Sequence, residues 1–388
     1  MTVLRPLALG GPDSIRAAIP LLTAALDGEA SLLPVPDGDA VTAALLRDAL
    51  GPDEPIDDAV ALVVATSGST GTPKGAMLTA AALRASADAT HARLGGPGSW
   101  LLALPPQHIA GLQVLLRSLA AGHEPVILDV TTGFEPASLT AAIDTMPAGR
   151  RYTSLVPGQL VKVLDDPDAT AALAAVDGVL VGGAATPPAL RAKAIAAGVP
   201  VVRTYGMSET CGGCVYDGVP LDGVDIVLDD ENPDGVGRVR LGGATVALGY
   251  RNQPDHPAFA RPGWFRTDDL GTLTDGVLAI AGRADEAISS GGLTVLPQVV
   301  EAQLTRLPGI AECAVFGLPH ERLGQQIAAA VVAAPGHDTP TVDRLRAELD
   351  GLLPTTSIPR QVFTVDELPL RGPGKVDRRA LVNRFSQV

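Results

Sequence analysis

Residues 59–75 read AVALVVATSGSTGTPKG, in which an apolar, β-branched run is followed by a loop rich in glycine and hydroxyl side chains. The run at 59–66 predicts a buried strand, and Thr79 is placed to cap the Ala-rich helix that follows. Glycines let a backbone approach a ligand closely, and hydroxyls, amides and the charge of Lys74 can hold phosphate oxygens. The loop differs from the GxxxxGK[ST] nucleotide motif, because Pro73 stands where that motif needs glycine. The stretch therefore predicts a phosphate-binding loop, with a plain surface turn as the alternative.

Strand-like and helix-like segments alternate from residue 59 to residue 205. Further strands are predicted in SWLLALP, EPVILD, RYTSLVP, DGVLVGG and PVVRTYG, and helices in HIAGLQVLLRSLAAG, SLTAAIDTM, GQLVKVLDD and PPALRAKAIAAG. This alternation is typical of an α/β fold, in which a parallel sheet is flanked by helices and ligands bind beyond the carboxyl ends of the strands.

The sequence pattern changes after residue 212, where short segments are separated by Gly, Asp and Pro. We expect antiparallel strands in DIVLDD, GVGRVRLG, ATVALGY (244–250) and GTLTDGVLAIAG. Beyond them, strands and helices alternate in the order of a small α+β domain. The sequence thus predicts a large domain over 1–282, with parallel sheets and a β-rich part, and a small domain over 283–388.

Composition excludes several classes of protein. The 388 residues include 43 acidic and 29 basic side chains, and the formal charge of −14 opposes binding to nucleic acid or to an anionic membrane. No apolar run reaches the roughly 18 residues that span a bilayer, and the first residues do not read as a secretory signal. Three cysteines are too few for a disulfide framework, so we expect a cytoplasmic protein.

Five motifs occur together in a fixed order. They are TSGSTGTPKG (66–75), YGMSET (205–210), GWFRTDDLG (263–271), GRADEAISSGG (282–292) and ELPLRGPGK (367–375). Together they resemble the motifs of the adenylate-forming superfamily, which includes acyl-CoA synthetases, the adenylation domains of peptide synthetases and luciferases. The resemblance spans most of the chain and implies a large domain followed by a small, mobile one.

This resemblance implies a site for ATP and Mg²⁺. The residues that match the nucleotide-binding positions of the superfamily are Thr66, Ser67, Gly68, Ser69, Thr70, Lys74, Tyr205, Thr210, Asp269 and Arg283. Glu209 matches the magnesium position, and its carboxylate is the hard oxygen ligand that Mg²⁺ prefers beside phosphates. The ring of Tyr205 can lie against a purine. Asp268 departs from the superfamily, which usually has glycine there.

The same resemblance gives Lys375 the catalytic role. Attack of a carboxylate on a phosphate brings two anions together, and a cation in a closed cleft stabilises that transition state. Only four of the 29 basic residues are lysine, which makes a lysine in a GPGK loop conspicuous. Asp285 matches the hinge position, and Gly291 and Gly292 match the side from which the thiol of coenzyme A enters.

Within the superfamily, the chain is most similar to the o-succinylbenzoate-CoA ligases of menaquinone biosynthesis. The positions that match the acyl pocket are His108, Ser154, Gly183 and Ser208. This implies a ligase that forms an acyl-AMP and then a CoA thioester. The substrate has a second carboxylate, which requires a partner; Arg151, Arg203, Ser154 and Ser208 are the candidates.

Three alternatives stay open at this point. The enzyme could activate another aryl or acyl carboxylate, it could load a separate carrier protein instead of coenzyme A, or it could be a non-catalytic nucleotide-binding relative. Cys211 and Cys214 form a CGGC spacing, but a zinc site needs further ligands. The sequence leaves the oligomeric state open, with a homodimer as one option.

Overall fold

The computed structural model describes residues 2–66, 73–370 and 375–386. Its backbone divides into two compact units. Unit 1 comprises 1–227, 240–267 and 275–278, and unit 2 comprises 228–239, 268–274 and 279–388. No helix among the described residues is both long enough and apolar enough to cross a membrane.

Unit 1 begins with a five-stranded sheet of order β3-β1-β2-β4-β5. Its strands are β1 (Thr2–Leu9), β2 (Ser31–Pro36), β3 (Pro55–Ile56), β4 (Val60–Thr66) and β5 (Lys74–Thr79), and the helices connected to them are α1 (Pro12–Leu26), α2 (Ala40–Leu50) and α3 (Ala80–Arg93). The predicted strand at 59–66 is confirmed as β4, and Thr79 caps α3 by accepting a hydrogen bond from the Ala82 amide at 3.0 Å.

A seven-stranded sheet of order β12-β11-β10-β9-β8-β6-β7 follows. Its strands are β6 (Ser99–Leu102), β7 (Val126–Ile127), β8 (Arg151–Leu155), β9 (Gly178–Val181), β10 (Val201–Met207), β11 (Gly212–Tyr216) and β12 (Val219–Pro220). The helices are α4 (Ile109–Ala120), α5 (Pro136–Asp144), α6 (Pro157–Leu164), α7 (Pro167–Ala174) and α8 (Pro188–Ala196). Strands β6 to β10 are parallel to one another, which confirms the predicted α/β fold. β4 lies in the other sheet, however, so the alternation from 59 to 205 belongs to two sheets.

Apolar side chains cover both faces of the parallel sheet. On one face, Leu155 and Val179 pack in a core with α5, α6 and α7. On the other face, Trp100 lies beside Tyr152 on the neighbouring strand, with ring centroids 5.0 Å apart, and contacts His91 of α3. Because strands with two buried faces read as continuous apolar runs, the sequence identified them well.

Four antiparallel strands form a third sheet, of order β13-β14-β15-β16, and contribute residues to both units. They are β13 (Val224–Asp229), β14 (Gly237–Gly243), β15 (Trp264–Thr274) and β16 (Val277–Arg283). The strand predicted at 244–250 is wrong. The backbone there instead bonds to a single residue of β5, Met77. The Leu248 amide donates to the Met77 carbonyl at 2.9 Å, and the Met77 amide donates to the Gly249 carbonyl at 3.0 Å.

Unit 2 contains a mixed sheet in which β20 pairs with β17, β19 and β21. Its strands are β17 (Ile288–Ser290), β18 (Leu293–Val295), β19 (Ile310–His320), β20 (Gly324–Ala333) and β21 (Gln361–Thr364), and its helices are α9 (Pro297–Leu304), α10 (Val342–Leu349) and α11 (Arg378–Phe385). Alternate residues of β19 enter two cores: Val315 packs with α9 and α10, whereas Phe316 packs with α11.

Candidate active site

Lys74 is the first residue of β5, and a distant part of the chain fixes its backbone. Asn252 donates from Nδ2 to the carbonyl of Pro73 at 3.0 Å, and its Oδ1 accepts a hydrogen bond from the Gly75 amide at 3.4 Å. The Arg251 amide also donates to the Gly75 carbonyl, at 2.9 Å. The peptide groups on both sides of Lys74 are thus held by residues far away in the sequence, since Asn252 lies 179 positions after Pro73.

Tyr250 connects Lys74 to Glu209. The Nζ atom of Lys74 lies over the Tyr250 ring, 4.8 Å from its centroid, and the Tyr250 hydroxyl donates to Oε1 of Glu209 at 2.5 Å. Tyr250 is 2% exposed and Glu209 is 6% exposed, so the carboxylate is oriented inside the protein. A cation and a carboxylate from two predicted motifs are therefore brought together by a tyrosine that neither motif contains.

A tight turn after β10 presents Glu209. The hydroxyl of Thr210 accepts a hydrogen bond from the Met207 amide at 3.1 Å and donates to the Gly212 carbonyl at 2.9 Å. Cys211 adopts the left-handed conformation with φ of 53°, and its carbonyl accepts a hydrogen bond from Gln113 at 2.7 Å. These bonds are internal to the protein, so the structure gives Thr210 a role in shaping the turn around Glu209.

Thr66 is the last residue of β4 and pairs directly with Lys74 across the β4–β5 ladder. The other predicted loop residues, Ser67, Gly68, Ser69 and Thr70, lie outside the described residues. The strand pairing therefore places the two ends of the loop next to each other.

The remaining predicted residues of unit 1 lie at the carboxyl edge of the parallel sheet. Ser154 is buried next to the end of β8, Gly183 follows β9 by two residues, and Ser208 comes directly after β10. His108 precedes α4 on the connection from β6, and its side chain is exposed rather than packed in the core. Tyr205 lies on β10, beyond the last residue paired with β9. Strand polarity thus gathers these positions at one edge.

Arg151 and Arg203 do not fit the predicted role of holding a second carboxylate. Arg151 begins β8, at the amino end of the strand, and its guanidinium donates to the carbonyl of Ala175 at 2.5 Å. Arg203 is exposed and forms an ion pair with Asp217, with Nε 3.0 Å from Oδ1. The expectation is wrong for Arg151, which occupies the amino end of its strand. Arg203 is level with Val181 at the end of β9, but its guanidinium is paired with Asp217.

In unit 2, Arg283 lies among three carboxylates. Its Nε and Nη2 donate to the two oxygens of Asp285 at 2.8 and 2.9 Å, and Nη1 donates to Asp269 at 3.4 Å. Asp268 is 3.7 Å away and also forms an ion pair with Arg238. Burial lowers the pKa of Arg283, but the hydrogen bond to Asp285 and the negative charges outweigh burial, and the pKa is raised above its ordinary value.

The two neighbouring aspartates differ in exposure. β15 alternates between its two faces, so Asp269 is buried, with an 8% exposed residue surface, whereas Asp268 is exposed. The extra acid of this sequence therefore points to the surface and pairs with arginine, while Asp269 occupies the sheltered position expected of a ligand-binding group.

Gly291 and Gly292 form the two-residue turn between β17 and β18. Their φ angles of 60° and 82° are both positive, which a glycine pair adopts without strain in a hairpin turn. The Gly291 amide donates to the Leu323 carbonyl at 2.9 Å. Leu323 in turn lines a cavity of about 330 Å³ together with three basic side chains, His320, Arg322 and Arg360.

Lys375 is exposed, and it directly precedes Val376. Leu370 and Val376 form an antiparallel bridge, and the Asp377 amide donates to the Pro369 carbonyl at 2.7 Å. These contacts fix the backbone that follows Lys375, two residues before the start of α11.

The cysteines do not form a reactive site. Burial raises the pKa of Cys214 to about 12 and that of Cys211 still higher, so both stay protonated at neutral pH. The described residues contain no group of three His, Cys, Asp or Glu side chains that could hold a metal ion. A single carboxylate such as that of Glu209 is enough for Mg²⁺ that arrives with a nucleotide, because Mg²⁺ in such sites takes one or two carboxylates and phosphate oxygens.

The sequence reasoning missed Tyr250, Asn252 and His256. The sequence held one weak sign of their importance. The chain has only four tyrosines, and one of them, Tyr250, directly precedes the polar residues at 251–256. Their contacts to Lys74 and Glu209 join residues that are far apart in the chain, which no local pattern reveals.

Comparison with known proteins identifies relatives over nearly the whole chain. Residues 18–251 match the model of the AMP-binding enzyme family, and residues 299–375 match the AMP-binding enzyme C-terminal domain. A probable 2-succinylbenzoate–CoA ligase of Mycobacterium tuberculosis strain CDC 1551 is 59% identical over 345 residues, covering 88% of each chain. A sulfoacetate–CoA ligase of Cupriavidus necator is 35% identical, covering 91% of this chain and 73% of its own.

One solved structure shows the same fold. The o-succinylbenzoate CoA synthetase of Bacillus subtilis, in complex with the acyl-adenylate intermediate OSB-AMP, superposes with a TM-score of 0.76 at 24% identity and covers 98% of this chain and 88% of its own. At this identity the likeness describes the fold, with its large amino-terminal and small carboxyl-terminal parts.

Proposed function

Because the chain belongs to the family of AMP-binding enzymes, we propose that it is an ATP-dependent ligase that joins o-succinylbenzoate to coenzyme A. In the first step a substrate carboxylate attacks the α-phosphorus of ATP, giving the acyl-AMP and releasing pyrophosphate. In the second step the thiol of coenzyme A attacks the acyl carbon, giving the thioester and releasing AMP. The observation that carries the nucleotide site is the link from Lys74 through Tyr250 to Glu209.

Each end of this link has a separate task. Lys74 supplies a positive charge beside the ends of the glycine-rich loop and holds phosphate oxygens. Glu209 is the residue that would hold Mg²⁺, which when bound neutralises phosphate charge. Tyr250 keeps the Glu209 carboxylate in a single orientation, so that its position is set before the nucleotide arrives.

Residues of unit 2 are assigned to the nucleotide and to catalysis. Asp269 is a sheltered carboxylate that accepts hydrogen bonds, as the hydroxyls of a ribose require, and Arg283 donates to it and orients it. Lys375 supplies the positive charge for the adenylation step. Asp285 is assigned as the hinge residue, and its two hydrogen bonds from Arg283 hold the segment at 283–286 in one conformation.

The acid pocket is assigned to the carboxyl edge of the parallel sheet in unit 1. Ser154, Gly183 and Ser208 lie at that edge, and His108 lies at the start of α4, where the partial positive charge of the helix favours an anion. The identity of the acid rests on the 59% identical relative.

Coenzyme A is favoured over a carrier protein by the basic cavity of unit 2. His320, Arg322 and Arg360 line it next to the turn formed by Gly291 and Gly292. Coenzyme A bears a diphosphate and a 3′-phosphate, whereas the arm of a carrier protein has one phosphodiester. The two arginine charges and the histidine suit the more highly charged acceptor.

A panel of carboxylic acids tests the proposal through ATP–pyrophosphate exchange, which reports adenylation alone. O-succinylbenzoate is expected to support exchange best, against benzoate, succinate, ferulate and sulfoacetate. Preference for sulfoacetate would support the second candidate, which the 35% identical relative suggests. Exchange with none of these acids would contradict the proposed substrate class.

The acceptor is tested separately. Arg322→Ala and Arg360→Ala are expected to raise the KM for coenzyme A while the KM for ATP stays unchanged. Arg306→Ala, on the surface after α9, is the matched control. An unchanged KM for coenzyme A in both cavity variants would contradict the assignment of this cavity.

A further inference from the structure

His256 lies beside Lys74, although it belongs to none of the five motifs. Its Nε2 atom is 3.3 Å from Nζ of Lys74, and its half-buried ring stands edge-on to Tyr250, with centroids 4.9 Å apart and planes at 86°. His256 therefore contacts two members of the site described above, Lys74 and Tyr250.

The backbone determines which nitrogen of His256 carries the proton. Nδ1 accepts a hydrogen bond from the Ala258 amide at 3.2 Å, and this bond caps the short helical turn Pro257–Phe259. Ala258 is buried, so the other tautomer would leave a buried amide hydrogen facing an N–H group. A neutral histidine with an accepting Nδ1 has its hydrogen on Nε2.

Two hydrogen-bond donors consequently face each other. The Lys74 ammonium carries only hydrogen-bond donors, and its Nζ lies 3.3 Å from Nε2 of His256, which is also a donor. An anion with several oxygens would accept from both groups. Glu209 is linked to the same Tyr250 ring, so a carboxylate suited to Mg²⁺ lies nearby, and this combination matches a magnesium polyphosphate better than a single phosphate ester.

We propose that His256 is a binding residue for the polyphosphate of ATP and for the pyrophosphate that leaves, donating from Nε2 to the oxygens that Lys74 also holds. The inference rests on the proposed function and names a ligand of that same site. Because the contact serves the polyphosphate, it contributes to the first step and to the reverse reaction with pyrophosphate. It contributes nothing to the binding of AMP.

His256→Asn provides the decisive test. Asparagine can accept the Ala258 amide bond, so the cap remains, but its side chain is too short to reach Lys74. The full-length variant is expected to have a KM for ATP and a Kd for magnesium pyrophosphate raised about tenfold, the loss expected for one hydrogen bond to a charged group. Its Kd for AMP and its rate of thioester formation from supplied acyl-AMP are expected to be unchanged.

Two comparisons make the result specific. His256→Ala loses the cap as well as the donor, and the exposed His123→Asn controls for histidine removal elsewhere in unit 1. If His256→Asn equals the wild type for ATP and pyrophosphate while His256→Ala is impaired, the histidine is only a cap and the proposal is wrong. Equal weakening of AMP and ATP would also overturn it. Direct titration of the wild type and His256→Asn with magnesium pyrophosphate needs no acid substrate, so it still decides the role of His256 if the proposed acid is wrong.

Discussion

The Tyr250 hydroxyl donates a hydrogen bond to Oε1 of Glu209 at 2.5 Å, and both side chains are almost completely buried. Tyr250→Phe removes this bond, which is one of the contacts that orient the carboxylate. We expect adenylation to fall about tenfold and the Mg²⁺ concentration for half-maximal exchange to rise, because a hydrogen bond to a charged group contributes about 1.5–3 kcal/mol. Pyrophosphate exchange measured over a range of Mg²⁺ concentrations checks both effects.

Tyr152→Phe is the matched control. Tyr152 is also buried, and its hydroxyl donates to the carbonyls of Leu94 and Gly96 at 3.2 and 2.8 Å, far from Glu209 in the sequence. It should lower stability without changing the Mg²⁺ requirement. The same change in Mg²⁺ requirement for both variants would contradict the role given to Tyr250.

Lys375→Ala separates the two half-reactions. Loss of a preorganised charge at the reacting phosphate should reduce acyl-AMP formation about a hundredfold or more. Thioester formation from supplied acyl-AMP and coenzyme A should continue. Rapid quench of each half-reaction measures the two rates separately, and Lys193→Ala, which removes an exposed ion pair with Asp165, is the control. Equal loss of both rates would count against a role confined to adenylation.

His91 makes the stability of unit 1 depend on pH. Burial, with a smaller contribution from the charge of Arg117, lowers the pKa of His91 from 6.5 to about 4, although Asp88 acts in the opposite direction. His91 is therefore protonated near pH 6.5 in the unfolded chain but only near pH 4 in the folded chain. The contribution of His91 is fully present above pH 6.5 and decreases by up to about 3 kcal/mol as pH falls to 4.

Urea unfolding at several pH values between 7 and 4 measures this slope. His91→Gln should flatten it, because glutamine does not titrate and its oxygen can replace Nε2 as the acceptor of the Trp100 indole hydrogen, a bond of 3.2 Å. His123→Gln, at an exposed position, should retain the slope. An unchanged slope in His91→Gln would assign the pH dependence to other groups.

Arg378 holds the interior of unit 2 together. Its guanidinium donates to Glu286 at 2.8 Å and to both oxygens of Glu301 at 2.7 and 2.9 Å, and these three side chains are 16–17% exposed. Burial raises the pKa of Glu301, whereas the charge of Arg378 opposes that shift. Arg378→Ala leaves two buried carboxylates without this cation and should destabilise unit 2 by about 3–5 kcal/mol.

The neighbouring Arg379 is exposed and gives a closely matched control. Arg379→Ala should change the free energy of unfolding by less than about 0.5 kcal/mol. Hydrogen exchange at the amides of β19 and β20, followed in the full chain, reports on unit 2 directly. Similar protection in both variants would show that the buried ion pairs contribute little.

The parallel sheet was predictable because its strands are short, apolar on both faces and separated by helices with clear ends. Thr79 is an example, since a hydroxyl before an Ala-rich run predicts a helix start and the structure has its cap there. The segment at 244–250 also looks apolar, with buried Val246 and Tyr250. It is not a strand, because its backbone bonds to Gly223, Glu209 and Met77 individually rather than along one ladder.

The candidate site was predictable only where a motif names the residue. Lys74, Glu209 and Asp269 were identified in this way, whereas Tyr250 and His256 depend on contacts over 41 and 182 positions of the chain. Arg151 shows the opposite error. Its charge suggested a ligand, but its position at the amino end of β8 directs it to a carbonyl of its own unit.

The two hydrogen bonds between Asn252 and the peptide groups beside Lys74 have a consequence for biosynthesis. The lysine is translated 178 residues before the asparagine, so Lys74 lacks the two Asn252 hydrogen bonds to its neighbouring peptide groups while those 178 residues are being added. Ribosome-bound or prematurely terminated chains that end before residue 250 lack Tyr250 and His256 as well. Under the proposed function, a chain therefore has all of the groups assigned to the polyphosphate only once residue 256 has been added.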